Sequence, residues 1–304
     1  MNQVKKRKVF RWLSKNKISL LFLLPATAFV SIFMLYPLCY QVFLSFFRQS
    51  SWSRTGTFVG LSNYGELLFD DSRFWPALSH NAIYTSLYVG GVVVLGLVLA
   101  LLIDLRLKGW KFFRFTYYLP VMLMIPVVAV LWGRIYHPYF GLLNMFLRAI
   151  GLGSLTRIWL GEPDIVLYVV AFVYIWRACG WPMIIFLSAM SNIPKDLYDA
   201  AAIDGATTWQ RIWLITVPMI TVVISMVLIL QIIWSLKVFT EIWILTEGGP
   251  GYSSEVVSTY LFQTAFLSFR MGYASTISVV FSIFVMLITI IYLKFFGAPK
   301  TYEY

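Results

Sequence analysis

Charged residues are scarce in this chain of 304 residues: they make up 12% of it, whereas 60% of the residues are hydrophobic. Soluble globular domains are usually about one-quarter charged. The mean hydropathy of +0.79 points in the same direction. This composition excludes an ordinary soluble domain and predicts that most of the chain lies in lipid.

Cysteine and histidine are also rare. The chain has two cysteines, Cys39 and Cys179, and two histidines, His80 and His137. None of them has the spacing of a C-x-x-C motif or of a metal-ligand set, which argues against a disulfide scaffold and a metal site. We interpret the cysteines as packing residues and the histidines as interfacial polar residues.

Motifs that carry enzymatic chemistry are absent from the sequence. Without a G-x-x-x-x-G-K-[ST] phosphate loop, the chain is not expected to bind ATP itself. It also has no G-x-S-x-G or H-E-x-x-H motif and no pair of carboxylates inside an apolar run. We therefore predict no enzyme, no catalytic residue and no cofactor on this chain. The missing intramembrane acids also weaken the alternative of an ion-coupled secondary carrier, although sodium sites can be built from backbone carbonyls.

The sequence instead contains long intervals without charged residues. A membrane span needs about 20 mainly apolar residues, and one of the qualifying intervals is interrupted only by Arg177. We predict an all-α polytopic membrane protein with six transmembrane helices. The intervals are Lys17–Arg48, Arg73–Asp104, Arg114–Arg134, Asp164–Lys195, Arg211–Lys237 and Arg270–Lys294.

The distribution of Lys and Arg predicts the orientation. Residues 1–17 are rich in basic side chains and contain no acid. Because basic segments beside spans are retained in the cytoplasm, we expect the N-terminus there, and six crossings return the C-terminus to the same side. The expected organisation is a basic cytoplasmic segment, 1–17, and one transmembrane domain, 18–304. In such a protein the net charge of +11 indicates contact with anionic lipid and no nucleic acid partner.

A few polar residues stand inside the apolar runs. Burying Arg177 in lipid would cost roughly 3 kcal/mol or more, so it should face a cavity or a partner chain, or reach an interface. Tyr174 and Trp176 precede it, and on another interval Gln231 and Ser235 are four apart and share a helix face. Aromatic rings beside hydrogen-bonding groups suit a polyhydroxylated ligand. The same groups could instead bond neighbouring helices to each other.

The stretch "DLYDAAAIDGATTWQRIWLITVP", residues 196–218, separates two apolar runs. Pro194 suits the first turn of a short helix, with Ser191 or Asn192 as its cap and aspartates near its positive end. Gly205 should bend the chain, and the threonines after it can cap a second helix. Because alanines let another backbone approach closely, we predict a docking element with a helix, a bend and another helix.

The core of this loop, "DAAAIDGA" at 199–206, closely resembles the EAA signature of the membrane subunits of ABC importers. Asp199 departs from the usual Glu and keeps the charge on a shorter arm. Other segments in the same order resemble the carbohydrate-importer branch, the maltose- and glycerol-phosphate-type permeases. They are "FVGLSNY" at 58–64, "FFRFTYYLP" at 112–120, "GLLN" at 141–144, "NIPKDLYDAAAIDGA" at 192–206, "LTEGGPG" at 245–251 and "GYAS" at 272–275.

This resemblance implies the type I ABC importer permease fold, cytoplasmic termini and a place in the cytoplasmic membrane of a prokaryote. The implied partners are a second, similar permease chain, two ATPase subunits that bind ATP and magnesium, and an extracellular solute-binding protein. The cargo would be an oligosaccharide or related polyol. Glycerol phosphate or another anionic solute is the alternative, for which Arg177 would supply the counter-charge.

The resemblance also implies two sets of site residues. In the first, the loop 191–218 carries a coupling helix that sits in a groove of the ATPase, Gly205 sets its bend and Asp204 holds the loop by local hydrogen bonds. The coupling residues are Asp199, Ala200, Ala201, Asp204, Gly205 and Ala206. The substrate-lining residues are Tyr174, Trp176, Arg177, Gln231, Ser235, Val121 and Ile125.

Overall fold

The structure is a computed structural model that describes residues 17–53 and 55–296. The predicted basic N-terminal segment therefore lies, apart from Lys17, outside the described residues. The chain divides into two compact units. Of the described residues, the first unit contains those up to Phe69 together with Thr264–Val279, and the second contains Asp70–Gln263 together with those from Val280 to Phe296.

Helices make up most of the described chain. The α-helices are α1 (Lys17–Val30), α2 (Tyr36–Leu44), α3 (Ser62–Gly65), α4 (Phe74–Asp104), α5 (Trp110–Tyr118), α6 (Ile125–Ile135), α7 (Leu142–Ala149), α8 (Val166–Ala178), α9 (Gly180–Met190), α10 (Lys195–Ile203), α11 (Thr208–Arg211), α12 (Val217–Met219), α13 (Thr221–Leu236), α14 (Thr240–Thr246), α15 (Val257–Phe262) and α16 (Met271–Phe296). Short 3₁₀ helices occur at Leu119–Met122 and Gly153–Leu155, and π-helical turns at Ser31–Leu35, Glu66–Asp70, Ile212–Thr216 and Gln263–Leu267. Strands β1 (Phe47–Arg48) and β2 (Thr57–Phe58) form a small antiparallel pair.

Three of the predicted intervals are continuous apolar helices long enough to cross a membrane. They are Leu21–Leu44, Phe74–Asp104 and Met271–Phe295. The other three are bent helix pairs: Trp110–Met122 with Ile125–Ile135 (99°), Val166–Ala178 with Gly180–Met190 (41°), and Thr208–Met219 with Thr221–Leu236 (65°). The described residues therefore hold three to six candidate spans, depending on whether each bent pair counts as one crossing.

Prolines explain the bends. A proline has no backbone N–H and its ring clashes with the preceding helical turn. Leu123 and Met124 adopt extended backbone between Pro120 and Pro126. Pro182 follows the second break closely, and Pro218 precedes the third. Intervals drawn from charge alone do not show these breaks, because proline carries no charge.

The long helix α4 organises the second unit, where it packs against α8, α9 and α13. The first residue of α9, Gly180, approaches the break between α5 and α6 closely. A Cβ atom at this position would lie 2.4 Å from the backbone oxygen of Tyr117, so no larger residue fits without movement. The close contact brings the break between α8 and α9 next to the end of α5.

Candidate functional site

Arg177 ties two bent helix pairs together. It stands in the last turn of α8, where a cation also complements the helix dipole. Its Nε donates a hydrogen bond to the backbone oxygen of Leu123 at 3.1 Å, and its Nη2 donates to that of Val121 at 3.4 Å. Both acceptors belong to the break between α5 and α6. The arginine therefore helps to satisfy irregular backbone that would be costly in a lipid environment.

Two buried polar atoms near this break have no hydrogen-bond partner among the described residues. They are the hydroxyl of Tyr174, whose side chain is only 2% exposed, and the indole Nε1 of Trp132. An unpaired buried donor or acceptor costs about 1–3 kcal/mol. The rings of Trp132 and Trp176 meet edge to face at 5.4 Å. Aromatic faces beside unused hydrogen-bonding groups can bind a hydroxylated ligand.

The structure brings five of the predicted lining residues into one region. Arg177 contacts Val121 directly, while Ile125 and Trp176 border the hydrophobic cluster that contains Tyr174. We refer to this set as the Arg177 site. Its members are Tyr174, Trp176, Arg177, Val121 and Ile125.

The other two predicted lining residues, Gln231 and Ser235, are buried on α13. The Ser235 hydroxyl donates to the Ile232 oxygen of its own helix at 3.0 Å, and Gln231 Oε1 has no partner among the described residues. In the described chain no hydrogen bond joins either residue to Arg177. Their membership of the same site stays a prediction.

Glu241 was not predicted from the sequence. It lies on α14 and shares this region because α14 packs against α6 and α8. Burial raises the pKa of the Glu241 carboxyl, and the positive charge of Arg177 acts in the opposite direction. Glu241 falls beyond the fifth apolar interval, so it looked like an ordinary loop acid. Its partial burial depends on distant helices and leaves no local signal.

The loop after α9 has the predicted form of two helices around a bend. Helix α10 ends at Ile203, and Gly205 has φ +76°, in the left-handed region that favours glycine. The Ala206 N–H donates to the Ala201 oxygen at 2.9 Å, and the Gly205 N–H donates to the Ala202 oxygen at 3.1 Å. This pair of bonds is a Schellman motif, which ends a helix at a glycine.

Thr207 caps the second helix, α11, as the sequence predicted. The Gln210 N–H donates to Thr207 Oγ1 at 3.3 Å, and the Thr207 N–H donates to Gln210 Oε1 at 2.8 Å. This reciprocal arrangement is a capping box. The predicted cap of α10 was wrong: Ser191 and Asn192 both donate to the Ser188 oxygen, at 2.7 and 3.0 Å, and thus complete α9 instead.

The surface of this loop is exposed, but its position is fixed. Asp199, Ala200 and Asp204 are exposed, and Ile203 is 87% exposed. The Tyr198 hydroxyl and Thr216 Oγ1 form a hydrogen bond of 2.9 Å that ties α10 to the π-helical turn Ile212–Thr216. The expected hydrogen bonds from the Asp204 side chain are not seen in the described residues, because the turn is closed by backbone bonds. The loop, residues 195–211, is named the coupling loop below.

Comparison with known proteins covers almost the whole chain. The sequence model of the binding-protein-dependent transport system inner membrane component matches residues 92–297. The probable ABC transporter permease protein YurN of Bacillus subtilis is 40% identical over 290 residues, which cover 94% of this chain and 99% of YurN. The lactose transport system permease protein LacF of Rhizobium radiobacter is 32% identical over 291 residues, with coverage of 92% and 93%.

A similar solved structure shows which fold the chain has. A chain in the crystal structure of a bacterial ABC transporter involved in the import of the acidic polysaccharide alginate matches with a TM-score of 0.82 at 24% identity, covering 95% of this chain and 98% of that one. This protein thus has the type I ABC importer permease fold. It belongs to the family of inner membrane components of binding-protein-dependent transport systems, as the permease of an ABC importer and not an enzyme.

Proposed function

We propose that this permease moves an uncharged oligosaccharide or a related polyol across the cytoplasmic membrane, driven by ATP hydrolysis on separate subunits. Each bent helix pair would form one crossing, giving six spans with both termini in the cytoplasm. The assembly would contain a second permease chain, two ATPase subunits and an extracellular solute-binding protein. The observation that carries this proposal is the exposed surface of the coupling loop on a firmly anchored turn.

The anchoring of the coupling loop supports its role in transmitting movement. Apolar Ile203 and the neighbouring alanines would lie against the ATPase, and the exposed Asp199 would pair with a basic group there. Tyr198 and Thr216 connect the loop to the helix that leads into α13. On its other side the loop follows α9, whose Gly180 touches the end of α5. A rigid displacement of the loop would therefore reach the Arg177 site through two helices.

The contacts of Arg177 favour an uncharged cargo. Its guanidinium already donates to two backbone oxygens, and Glu241 lies close enough to interact with it electrostatically. The free groups nearby, Tyr174 OH and Trp132 Nε1, are neutral hydrogen-bonding groups. Neutral groups and aromatic rings suit sugar hydroxyls better than a phosphate, which requires uncompensated cations. The similarity to LacF, named for lactose transport, agrees with this choice.

Uptake in cells tests the proposal. Cells that carry the permease and its partner genes would be supplied with radiolabelled neutral oligosaccharides or with glycerol phosphate. The matched control replaces the ATPase with a catalytically inactive variant that still assembles. We expect uptake of a neutral sugar that the inactive ATPase abolishes. Uptake that persists and follows an ion gradient would identify a secondary carrier, and uptake of glycerol phosphate alone would overturn the uncharged cargo.

A further inference from the structure

A cavity of about 200 Å³ lies in the first unit, just after the chain leaves α2. Three segments line it. The first contributes Arg48, Gln49 and Ser50, the second contributes Asn63, and the third contributes Phe269, Arg270 and Tyr273. This cavity is separate from the Arg177 site and the coupling loop, since all of its lining residues belong to the first unit.

Hydrogen bonds fix the walls of this cavity. The side-chain amide of Asn63 donates to the backbone oxygens of Ser45 at 2.9 Å and Phe47 at 3.1 Å. The backbone N–H of Gly272 donates to the Gln49 oxygen at 3.1 Å. The first and third segments are therefore joined to each other by their backbones.

The cavity carries a net positive charge. The guanidinium of Arg270 forms an ion pair with Glu66 at 2.6 Å and lies 4.2 Å from the ring centre of Tyr273. These contacts hold Arg270 in one orientation and balance its charge. Arg48 is exposed and has no acid within ion-pair distance among the residues that the structure describes. Its charge is uncompensated, so the cavity favours an anion.

The surroundings place this charge at a membrane interface. The apolar helix Leu21–Leu44 ends a few residues before Arg48, and Phe43 in its last turn is 55% exposed. The rings of Trp52 and Phe269 lie 5.1 Å apart beside the cavity. Aromatic and basic residues at the end of an apolar helix are typical of the level of lipid headgroups. The anion within reach at that level is the lipid phosphate.

We propose that this cavity binds the phosphodiester group of an anionic phospholipid, whose acyl chains lie along the exposed apolar side of α2. A guanidinium donates two parallel hydrogen bonds to a phosphate more readily than a lysine does. Arg48 would bind the phosphate, and Arg270 would contribute the donors that Glu66 leaves free. The bound lipid would hold the end of α2 at the membrane surface.

Native mass spectrometry of the full-length permease, purified with its partner subunits, tests this site. The protein would be titrated with phosphatidylglycerol, with phosphatidylcholine of the same acyl chains, and with inorganic phosphate. Arg48→Gln removes one cation, and Arg148→Gln, at another exposed arginine, is the matched control. We expect Arg48→Gln to weaken phosphatidylglycerol binding about tenfold, because one charge-assisted hydrogen-bonding group is lost. Arg270→Lys, which keeps the charge and can still pair with Glu66, should weaken it less.

Every other result of this titration counts against the proposal. Equal retention of phosphatidylcholine would show that the cavity does not select an anionic lipid. If inorganic phosphate displaces the bound lipid, the cavity is a site for free phosphate. If Arg148→Gln weakens phosphatidylglycerol binding as much as Arg48→Gln does, binding depends on the total charge of the protein and not on this cavity. Unchanged binding in a correctly assembled Arg48→Gln complex would remove the assigned role of Arg48.

Discussion

In the coupling loop, the groups that shape the structure are close neighbours in the sequence. Thr207 and Gln210, which cap each other, are 3 residues apart. At the Arg177 site the opposite holds, since Arg177 bonds to carbonyls 54 and 56 residues away. The structure of the coupling loop can therefore be predicted from local sequence, whereas the Arg177 site forms only when distant helices pack together. Mutations should affect the two regions in correspondingly different ways.

The largest effect is expected from Gly205→Val in the coupling loop. A β-branched residue is strained by about 1–2 kcal/mol or more at this positive φ, although no atom lies within 4 Å of the added Cβ. The turn should move, and ATP-dependent uptake should be abolished while membrane insertion is unchanged. Gly205→Asn is the control, because asparagine tolerates this conformation. If Gly205→Val transports normally, the loop does not depend on this bend.

Arg177→Ala should reduce uptake about tenfold, because hydrogen bonds to a charged group contribute about 1.5–3 kcal/mol each. Arg177→Gln keeps amide donors for the Val121 and Leu123 carbonyls while removing the charge, so it should retain more uptake than the alanine variant. Uptake rates, compared at equal amounts of assembled complex, measure the effect of each variant. If the glutamine variant is as impaired as the alanine variant, Arg177 acts through its charge, which would favour an anionic cargo.

Tyr174→Phe removes the buried hydroxyl that lacks a partner. We expect the KM for the sugar to rise about fivefold, since one neutral hydrogen bond to the substrate is lost. The melting temperature should stay the same or increase, because an unpaired polar group is removed. Tyr292→Phe is the control: its hydroxyl donates to the Ser225 oxygen at 2.8 Å, so its loss should lower the melting temperature and leave KM unchanged. A lower melting temperature with normal KM in Tyr174→Phe would contradict a ligand contact.

The smallest effect is expected from Thr207→Ala, which removes a helix cap worth about 1 kcal/mol. Hydrogen exchange of the amides after Thr207 should become faster, and uptake should fall less than in Gly205→Val. Thr207→Ser retains the capping hydroxyl and should behave like the original protein. Unchanged exchange in the alanine variant would mean that packing, rather than the cap, holds α11.

Much of the architecture was predictable from the sequence. The continuous helices fall where the charge-free intervals predict them, and Gly205 and Thr207 adopt the expected roles because helix ends depend on nearby residues. The bends were not predicted, although Pro126, Pro182 and Pro218 stand beside them. The cap of α10 was predicted wrongly because Ser191 and Asn192 stand between two helix ends. Both side chains bond to the end of α9 and not to the start of α10.

The sequence by itself determined that this chain is a membrane protein with long apolar helices and a loop bent at a glycine, since hydropathy and turn geometry are properties of short segments. Only the tertiary structure decided that Arg177 joins the break between α5 and α6 and that Glu241 is partly buried near it. It also decided that Tyr174 is left with an unpaired hydroxyl. Burial and pairing depend on which distant segments pack together, and no local pattern encodes that choice.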